Sequence, residues 1–111
     1  MKPTEATRHM RYEHMVFFKW KQNITRENES ELVKELLCFK ELIPGILDIS
    51  AGYNITEEID KIQGYTLGLR ITFENQQALK GYAVHPVHQS FKEKIKGKYD
   101  NVLVMDYPIQ N

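Results

Sequence analysis

Four stretches of this 111-residue chain alternate apolar and polar residues, and this alternation restricts the possible folds more than any other feature. Side chains on one face of a β-strand recur at every second position, so the alternation predicts strands. The clearest example covers residues 65–73, where Leu67, Leu69 and Ile71 share one face. The four predicted strands are 12–20, 46–55, 65–73 and 99–107.

Two stretches between the strands have the spacing of amphipathic helices. In the first, from about residue 29, Leu32 and Leu36 lie on one apolar stripe, and Pro44 with Gly45 ends the pattern. In the second, from residue 75 to about 96, Pro86 predicts that one helix ends and another begins. The resulting order, β-α-β-β-α-β, predicts an α+β, ferredoxin-like fold: a four-stranded antiparallel sheet with the helices on one face.

Composition excludes several classes of function. Lys plus Arg and Asp plus Glu both total 15, so the chain offers no basic surface for nucleic acid or an anionic membrane. No apolar run approaches the roughly 20 residues that span a bilayer. Residues 1–11 are polar, and we expect them to form a flexible extension before one domain at 12–111. The single cysteine, Cys38, permits no internal disulfide, which favours a cytoplasmic location.

One face of the predicted sheet carries too much apolar surface to remain in water. At roughly 25 cal/mol per Å², covering a few hundred Å² contributes several kcal/mol. A homodimer packed sheet against sheet would cover this face, and twofold pairing is the most common form of assembly. The alternative cover is a tail or loop, such as the N-terminal extension. The apolar residues in question are Met15, Phe17, Leu103, Met105 and Tyr107.

The other face of the sheet is predicted to lie beneath a reactive cluster. His14 and Asp106 fall on this face of antiparallel neighbouring strands, so we expect them to lie close together. Tyr82 and His88 flank the proline break in the helical layer above. A histidine in the first turn of a helix is kept neutral by the helix dipole, and a neutral imidazole can accept a proton. Packing and capping at a helix junction are the alternative roles for Tyr82 and His88.

Other chemistries have weaker support. His85, His88 and Asp106 are possible ligands of a divalent ion, but Pro86 disrupts the common helical face and no H-E-x-x-H motif occurs. Ser90 lacks the neighbours of a catalytic nucleophile. There is no glycine-rich nucleotide-binding motif. We therefore predict neither a metal nor a cofactor.

Several segments, taken together, resemble the stress-responsive A/B barrel domain (Dabb) family of dimeric α+β barrel proteins. The most specific is Tyr-x-x-His-Pro-x-His, at residues 82–88. The resemblance implies a ferredoxin-like protomer whose sheet pairs with that of a second copy. It spans residues 12–108, and the matching segments are 13–19, 43–46, 64–66, 72–74, 82–88 and 105–107.

The resemblance extends to a characterised plant cyclase of this family, which closes a linear polyketide without a cofactor. Its catalytic tyrosine and histidine match Tyr82 and His88, and its supporting aspartate matches Asp106. This implies that His88 removes a proton next to a carbonyl, Asp106 orients His88, and Tyr82 hydrogen-bonds the enolate. The residues implied to bind an apolar substrate are His14, Val16, Phe18, Leu32, Val33, Leu36, Leu69, Phe91, Val102 and Val104.

The chain also departs from that cyclase. Leu32, Val33 and Leu36 stand where the cyclase has pocket aromatics, and Leu67 replaces a second pocket histidine. We therefore expect a cavity of different shape and do not carry over the polyketide itself. The implied function is a cofactor-independent lyase or cyclase acting on a small apolar, polyketide-like carbonyl compound. The alternative is a non-catalytic small-molecule-binding or stress-response protein that uses the same cleft.

Overall fold

The computed structural model describes residues 10–110, and these form a four-stranded antiparallel sheet with helices packed on one face. The strand order is β2-β3-β1-β4, with β1 paired to both β3 and β4. The predicted α+β, ferredoxin-like β-α-β-β-α-β order is confirmed. Of the predicted extension at residues 1–11, only Met10 and Arg11 belong to the described part. The strands are β1 Tyr12–Trp20, β2 Ile46–Tyr53, β3 Leu67–Phe73 and β4 Tyr99–Pro108.

The helical layer contains four segments, and none of the described helices is long and apolar enough to cross a membrane. The first helix begins three residues earlier than its apolar pattern suggests. Thr25 and Asn28 form a reciprocal capping box, in which the Thr25 hydroxyl accepts from the Asn28 N–H at 3.0 Å. The helices are α1 Arg26–Leu37, α2 Phe39–Leu42, α3 Gln76–Val84 and α4 Pro86–Ile95, and a 3₁₀ turn covers Ile59–Lys61.

Strand β2 departs from the alternation that the sequence predicts. Strict alternation over residues 46–55 places Leu47 on the same face as Ile49, but Leu47 is 43% exposed. The register with β3 shifts between Ile46 and Asp48, so Leu47 is an extra residue at a β-bulge. Ile46 before the bulge is buried, and Ile49 after it packs against the core.

Along β1 and β3 the sheet buries the face under the helices, and the outer face is more exposed. Every second residue of β1, from Tyr12 to Trp20, is buried under the helices. On the outer face, Phe17 lies opposite Leu103, and Met15 lies opposite Met105. Phe17, Leu103 and Met105 are 37%, 48% and 61% exposed in this protomer. The outer face therefore has the apolar character that the sequence predicts.

A polar network borders this apolar surface on the same outer face. The Arg70 guanidinium donates to Asp48 at 2.6 Å and to the Thr72 hydroxyl at 2.8 Å. The Thr72 hydroxyl in turn donates to Glu13 at 2.5 Å. The Asp48 side chain is largely exposed, whereas that of Glu13 is 13% exposed. The outer face thus combines an apolar surface with an ordered set of charges.

Candidate active site

The site is built around the break between α3 and α4. Asn75 caps α3 by accepting from the Ala78 N–H at 2.8 Å, as its position predicts. At the break His85 is extended, and its ring nitrogen accepts from the Val87 N–H at 3.1 Å to cap α4. Pro86 occupies the first turn of α4, where a missing N–H costs no hydrogen bond.

Pro86 also determines what the carbonyl of Tyr82 can bind. In an uninterrupted helix that carbonyl would accept from the backbone N–H four residues on, but residue 86 is a proline and has none. The Tyr82 carbonyl instead accepts from the His85 N–H and from Nδ1 of His88, each at 3.1 Å. The helix break therefore creates the acceptor that orients His88.

This hydrogen bond fixes the tautomer of His88. A carbonyl oxygen can only accept, so Nδ1 carries the proton and Nε2 keeps its lone pair. Burial lowers the pKa of His88, and the nearby charge of Lys92 acts in the same direction, against hydrogen bonds to two backbone carbonyls. His88 is consequently a neutral base at pH 7. Sequence reasoning attributed this neutrality to the helix dipole, but the larger cause is burial.

The Tyr82 ring lies between two histidines. Its ring centroid is 4.0 Å from that of His88 in a stacked arrangement, and 5.1 Å from that of His14 in an edge arrangement. Tyr82 is only 3% exposed. Burial, followed by the negative charge of Asp106, raises the pKa of Tyr82 well above its usual value. The phenol therefore stays protonated and can donate a hydrogen bond.

Asp106 supports a different histidine from the one implied by the family resemblance. His14 and Asp106 are directly opposite each other on β1 and β4, and Nδ1 of His14 lies 2.5 Å from Oδ1 of Asp106. This confirms the proximity predicted from strand phase. The expected hydrogen bond between Asp106 and His88 is not formed, because the cross-strand partner takes the carboxylate and the Tyr82 carbonyl takes Nδ1 of His88.

Beside this cluster lies an apolar cavity of about 450 Å³ between the helices and the sheet. Leu32 and Val33 do not line it: Leu32 is buried in the core and borders a separate depression, and Val33 packs against the core. The sequence-predicted residues that do line the cavity are His14, Val16, Phe18, Leu36, Leu69, Tyr82, His88, Phe91, Val102 and Val104.

Sequence reasoning missed the polar rim of this cavity. Lys92 on α4 and Lys96, the residue that caps the C-terminal end of α4, follow His88 at intervals of four residues, the spacing of one side of a helix. That spacing was visible in the sequence and could have identified the two lysines. The missed lining residues are Gln89, Lys92, Glu93, Ile95, Lys96 and Tyr99.

A second cavity of about 450 Å³ lies on the other side of the same cluster. His14, Tyr82 and His88 line both cavities, whereas Asp106 borders only the second. His14, Tyr82 and His88 therefore form a wall shared by the two cavities.

Within residues 10–110, no three or more His, Cys, Asp or Glu side chains are grouped so that they could hold a metal ion.

The sequence as a whole matches the family model of the Stress responsive A/B Barrel Domain (Dabb) over residues 12–109. The chain belongs to the Dabb family. It is similar to olivetolic acid cyclase from Cannabis sativa, with 29% identity over 98 residues, covering 88% of this chain and 96% of that protein. It is also similar to the Stress-response A/B barrel domain-containing protein HS1 from Arabidopsis thaliana, with 32% identity over 94 residues, covering 85% of each.

Solved structures agree with the Dabb assignment. The crystal structure of At3g17210 from Arabidopsis thaliana superposes with a TM-score of 0.82 at 30% identity, covering 90% of this chain and 96% of that chain. A dimeric ferredoxin-like protein of unknown function from Jannaschia sp. CCS1 gives a TM-score of 0.76 at 26% identity, covering 89% and 99% of the two chains. Both comparisons extend over almost the whole fold of this Dabb protein.

Proposed function

We propose that this Dabb protein is a cofactor-independent lyase or cyclase acting on a small apolar carbonyl compound of polyketide-like character. The observation that carries the proposal is the placement of a neutral His88 against a protonated Tyr82 at the wall of an apolar cavity. A base and a hydrogen-bond donor on one wall are the two groups that enolate chemistry requires. The similarity to olivetolic acid cyclase supports this class of reaction.

In the proposed reaction, Nε2 of His88 accepts a proton from the carbon next to a carbonyl. The electrons of that C–H bond form an enolate, whose oxygen accepts a hydrogen bond from the Tyr82 hydroxyl. The enolate carbon then attacks a second carbonyl of the same molecule, which forms a C–C bond and an alkoxide. The imidazolium of His88 returns the proton to the alkoxide, so the protein ends unchanged. Acid–base help of this kind typically contributes about 10²- to 10⁴-fold in rate.

His14 and Asp106 act as positioning residues in this scheme. The carboxylate holds the His14 ring at 2.5 Å, and that ring packs edge-on against Tyr82. The Tyr82 ring is thereby confined between His14 and the stacked ring of His88. The orienting role that the resemblance gave to Asp106 passes to the backbone carbonyl of Tyr82.

We further propose that the protein functions as a homodimer through its outer sheet face. Phe17, Leu103 and Met105 leave a continuous apolar surface there, and surfaces of this kind mark interaction sites. The similar Jannaschia protein is dimeric, which supports the same assembly here.

Deuterium exchange into 2-tetralone tests the catalytic proposal without knowledge of the natural substrate. The hydrogens at C1 of this apolar ketone are acidified by the carbonyl and the ring, and their exchange is followed by proton NMR. We expect wild-type protein to accelerate exchange over buffer. We expect His88→Gln to slow the catalysed rate about 10²-fold, and Tyr82→Phe to slow it by a similar factor through loss of the enolate donor.

His85→Asn is the matched control, because it also replaces a histidine by an amide while an oxygen remains to cap α4. It should exchange 2-tetralone at the wild-type rate. Exchange no faster than in buffer, or equal rates for His88→Gln and wild type, would refute the catalytic proposal.

A non-catalytic binding protein is the second candidate function. The observation that favours it is the pairing of Asp106 with His14, which leaves His88 without a carboxylate partner among the described residues. This alternative predicts that olivetolic acid or a similar apolar ligand raises the melting temperature of the protein while 2-tetralone exchange stays at the buffer rate.

A further inference from the structure

Beyond His88, helix α4 and the residue that caps its C-terminal end provide two positively charged side chains, Lys92 and Lys96. His88 and Lys92 are four residues apart on one side of the helix, and Lys96, four residues further on, is the residue that caps its C-terminal end. All three border the cavity of about 450 Å³. His88 is half-buried at the inner end, and Lys92 and Lys96 are exposed toward the mouth.

The rim of this cavity has an excess of positive charge. The charged residues that line it are Lys92, Lys96 and Glu93, so two ammonium groups face one carboxylate. None of the ion pairs within residues 10–110 involves Lys92 or Lys96. Lys94, on another side of α4, is by contrast paired with Glu35 at 2.7 Å.

The charge of Lys92 acts inside the site. It contributes to lowering the pKa of His88, so its field reaches the ring of the proposed base. The same cavity is also lined by apolar side chains, which include Leu36, Leu69 and Phe91. A ligand that contacts both the lysines and the apolar lining needs an apolar body and one negatively charged end.

We propose that Lys92 and Lys96 make this cavity selective for ligands that carry a carboxylate, or an anion of similar size, at the end of an apolar body. The inference depends on the ligand cavity of the proposed function but not on the proton-transfer step. It adds to that function the class of substrate: an anionic carbonyl compound whose charged end stays at the mouth while its apolar part reaches His88 and Tyr82.

Two fluorescent probes with nearly the same apolar body test the proposal. 1-Anilinonaphthalene-8-sulfonate carries an anion, and N-phenyl-1-naphthylamine lacks it. We expect the double variant Lys92→Gln/Lys96→Gln to weaken binding of the sulfonate about fivefold, since exposed charge pairs contribute modestly. Binding of the neutral amine should change less than twofold. Raising the salt concentration should weaken sulfonate binding to wild type but not to the double variant.

Lys94→Gln is the matched control and should bind both probes as wild type does, because Lys94 does not line the cavity. Val102→Phe narrows the cavity and should weaken binding of both probes, which would show that both probes bind in this cavity. The proposal is overturned if the double variant retains wild-type affinity for the sulfonate, or if Val102→Phe leaves that affinity unchanged. Loss of 2-tetralone exchange with an intact preference for the anion would refute the catalytic step alone.

Discussion

Tyr82 contributes three different groups to the site, and this concentration of roles on one residue distinguishes the cluster. Its carbonyl orients His88, its ring separates His88 from His14, and its hydroxyl is the proposed enolate donor. Substitution of Tyr82 by phenylalanine removes only the last of these. Tyr82→Phe therefore tests hydrogen-bond donation alone, while the carbonyl and the ring that position His88 remain in place.

The pH dependence of catalysis should report the lowered pKa of His88. Only neutral His88 can accept a proton, so the rate of 2-tetralone exchange should rise with pH and level off with a midpoint below the usual value of 6.5. NMR titration of the His88 ring should give the same midpoint. A midpoint at or above 6.5 would contradict this prediction.

The same shift predicts a change in stability with pH. The pKa of His88 is lower in the folded protein than in the unfolded chain, so the unfolded chain binds more protons as pH falls. The contribution of His88 to stability is therefore complete above pH 6.5 and is lost as pH falls through the lowered pKa. In urea unfolding at pH 7.5 and pH 5, wild type should lose more stability than His88→Gln.

Removal of the Asp106 charge should change the state of His14 without unfolding the protein. In wild type the carboxylate accepts from Nδ1 of His14, so that nitrogen should carry the proton in ¹⁵N NMR spectra. Asp106→Asn weakens this charge-assisted bond, and we expect the two nitrogens of His14 to become more equally protonated. Identical ¹⁵N shifts in both proteins would show that Asp106 does not set the tautomer.

Strand phase was enough to predict the His14–Asp106 pair, because both residues fall on the same face of antiparallel neighbours. The contact between Asp106 and His88 could not be judged in the same way. Periodicity gives the face of an element but not the distance from a helix to a sheet, and a backbone carbonyl that binds a side chain leaves no mark in the sequence. The positions of Lys92 and Lys96 near His88, by contrast, could have been predicted, because the three residues follow each other at intervals of four.

At the scale of whole elements, capping residues and proline predicted the helices of the second βαβ unit almost to the residue. Asn75 and Pro86 mark the starts of α3 and α4. Two features escaped the pattern for physical reasons. The first turn of α1 is polar, so its apolar stripe begins late. The bulge at Leu47 inserts one residue into β2 and moves that side chain out of the core.

Two glycines with the same backbone conformation but different surroundings give a test of element packing. Gly45 and Gly97 have φ of +88° and +82°. A Cβ on Gly45 would collide with the Cβ of Ala78 on α3, whereas nothing lies within 4 Å of one on Gly97. We expect Gly97→Ala to cost about 1 kcal/mol of unfolding free energy and Gly45→Ala to cost about 3 kcal/mol.

Urea denaturation followed by fluorescence of Trp20, the single and buried tryptophan, measures both values. Equal losses for the two variants would mean that α3 can move away from the turn at Gly45.

For the molecule as a whole, the sheet gives the two faces different roles. One face, under the helices, forms the core and the site; the other exposes Phe17, Leu103 and Met105. The sequence predicted this division from alternation alone. It could not predict how a partner would be seated, because that depends on the shape of the surface and on the charges of Arg70 and Asp48 beside it.

A matched pair of leucine substitutions tests the proposed homodimer. Leu103→Lys puts a charge on the outer sheet face, and Leu42→Lys puts the same charge at the end of α2, where the leucine is 56% exposed. In sedimentation velocity, wild type and Leu42→Lys should be dimers, and Leu103→Lys should shift toward monomer. A monomeric wild type, or a dimeric Leu103→Lys, would contradict assembly through this face.

The wall shared by the two cavities has a consequence for ligand binding. His14, Tyr82 and His88 line both hollows, so a substitution at any one of them alters two binding surfaces at once. Molecules seated in the two hollows would touch the same three rings, and we therefore do not expect them to bind independently.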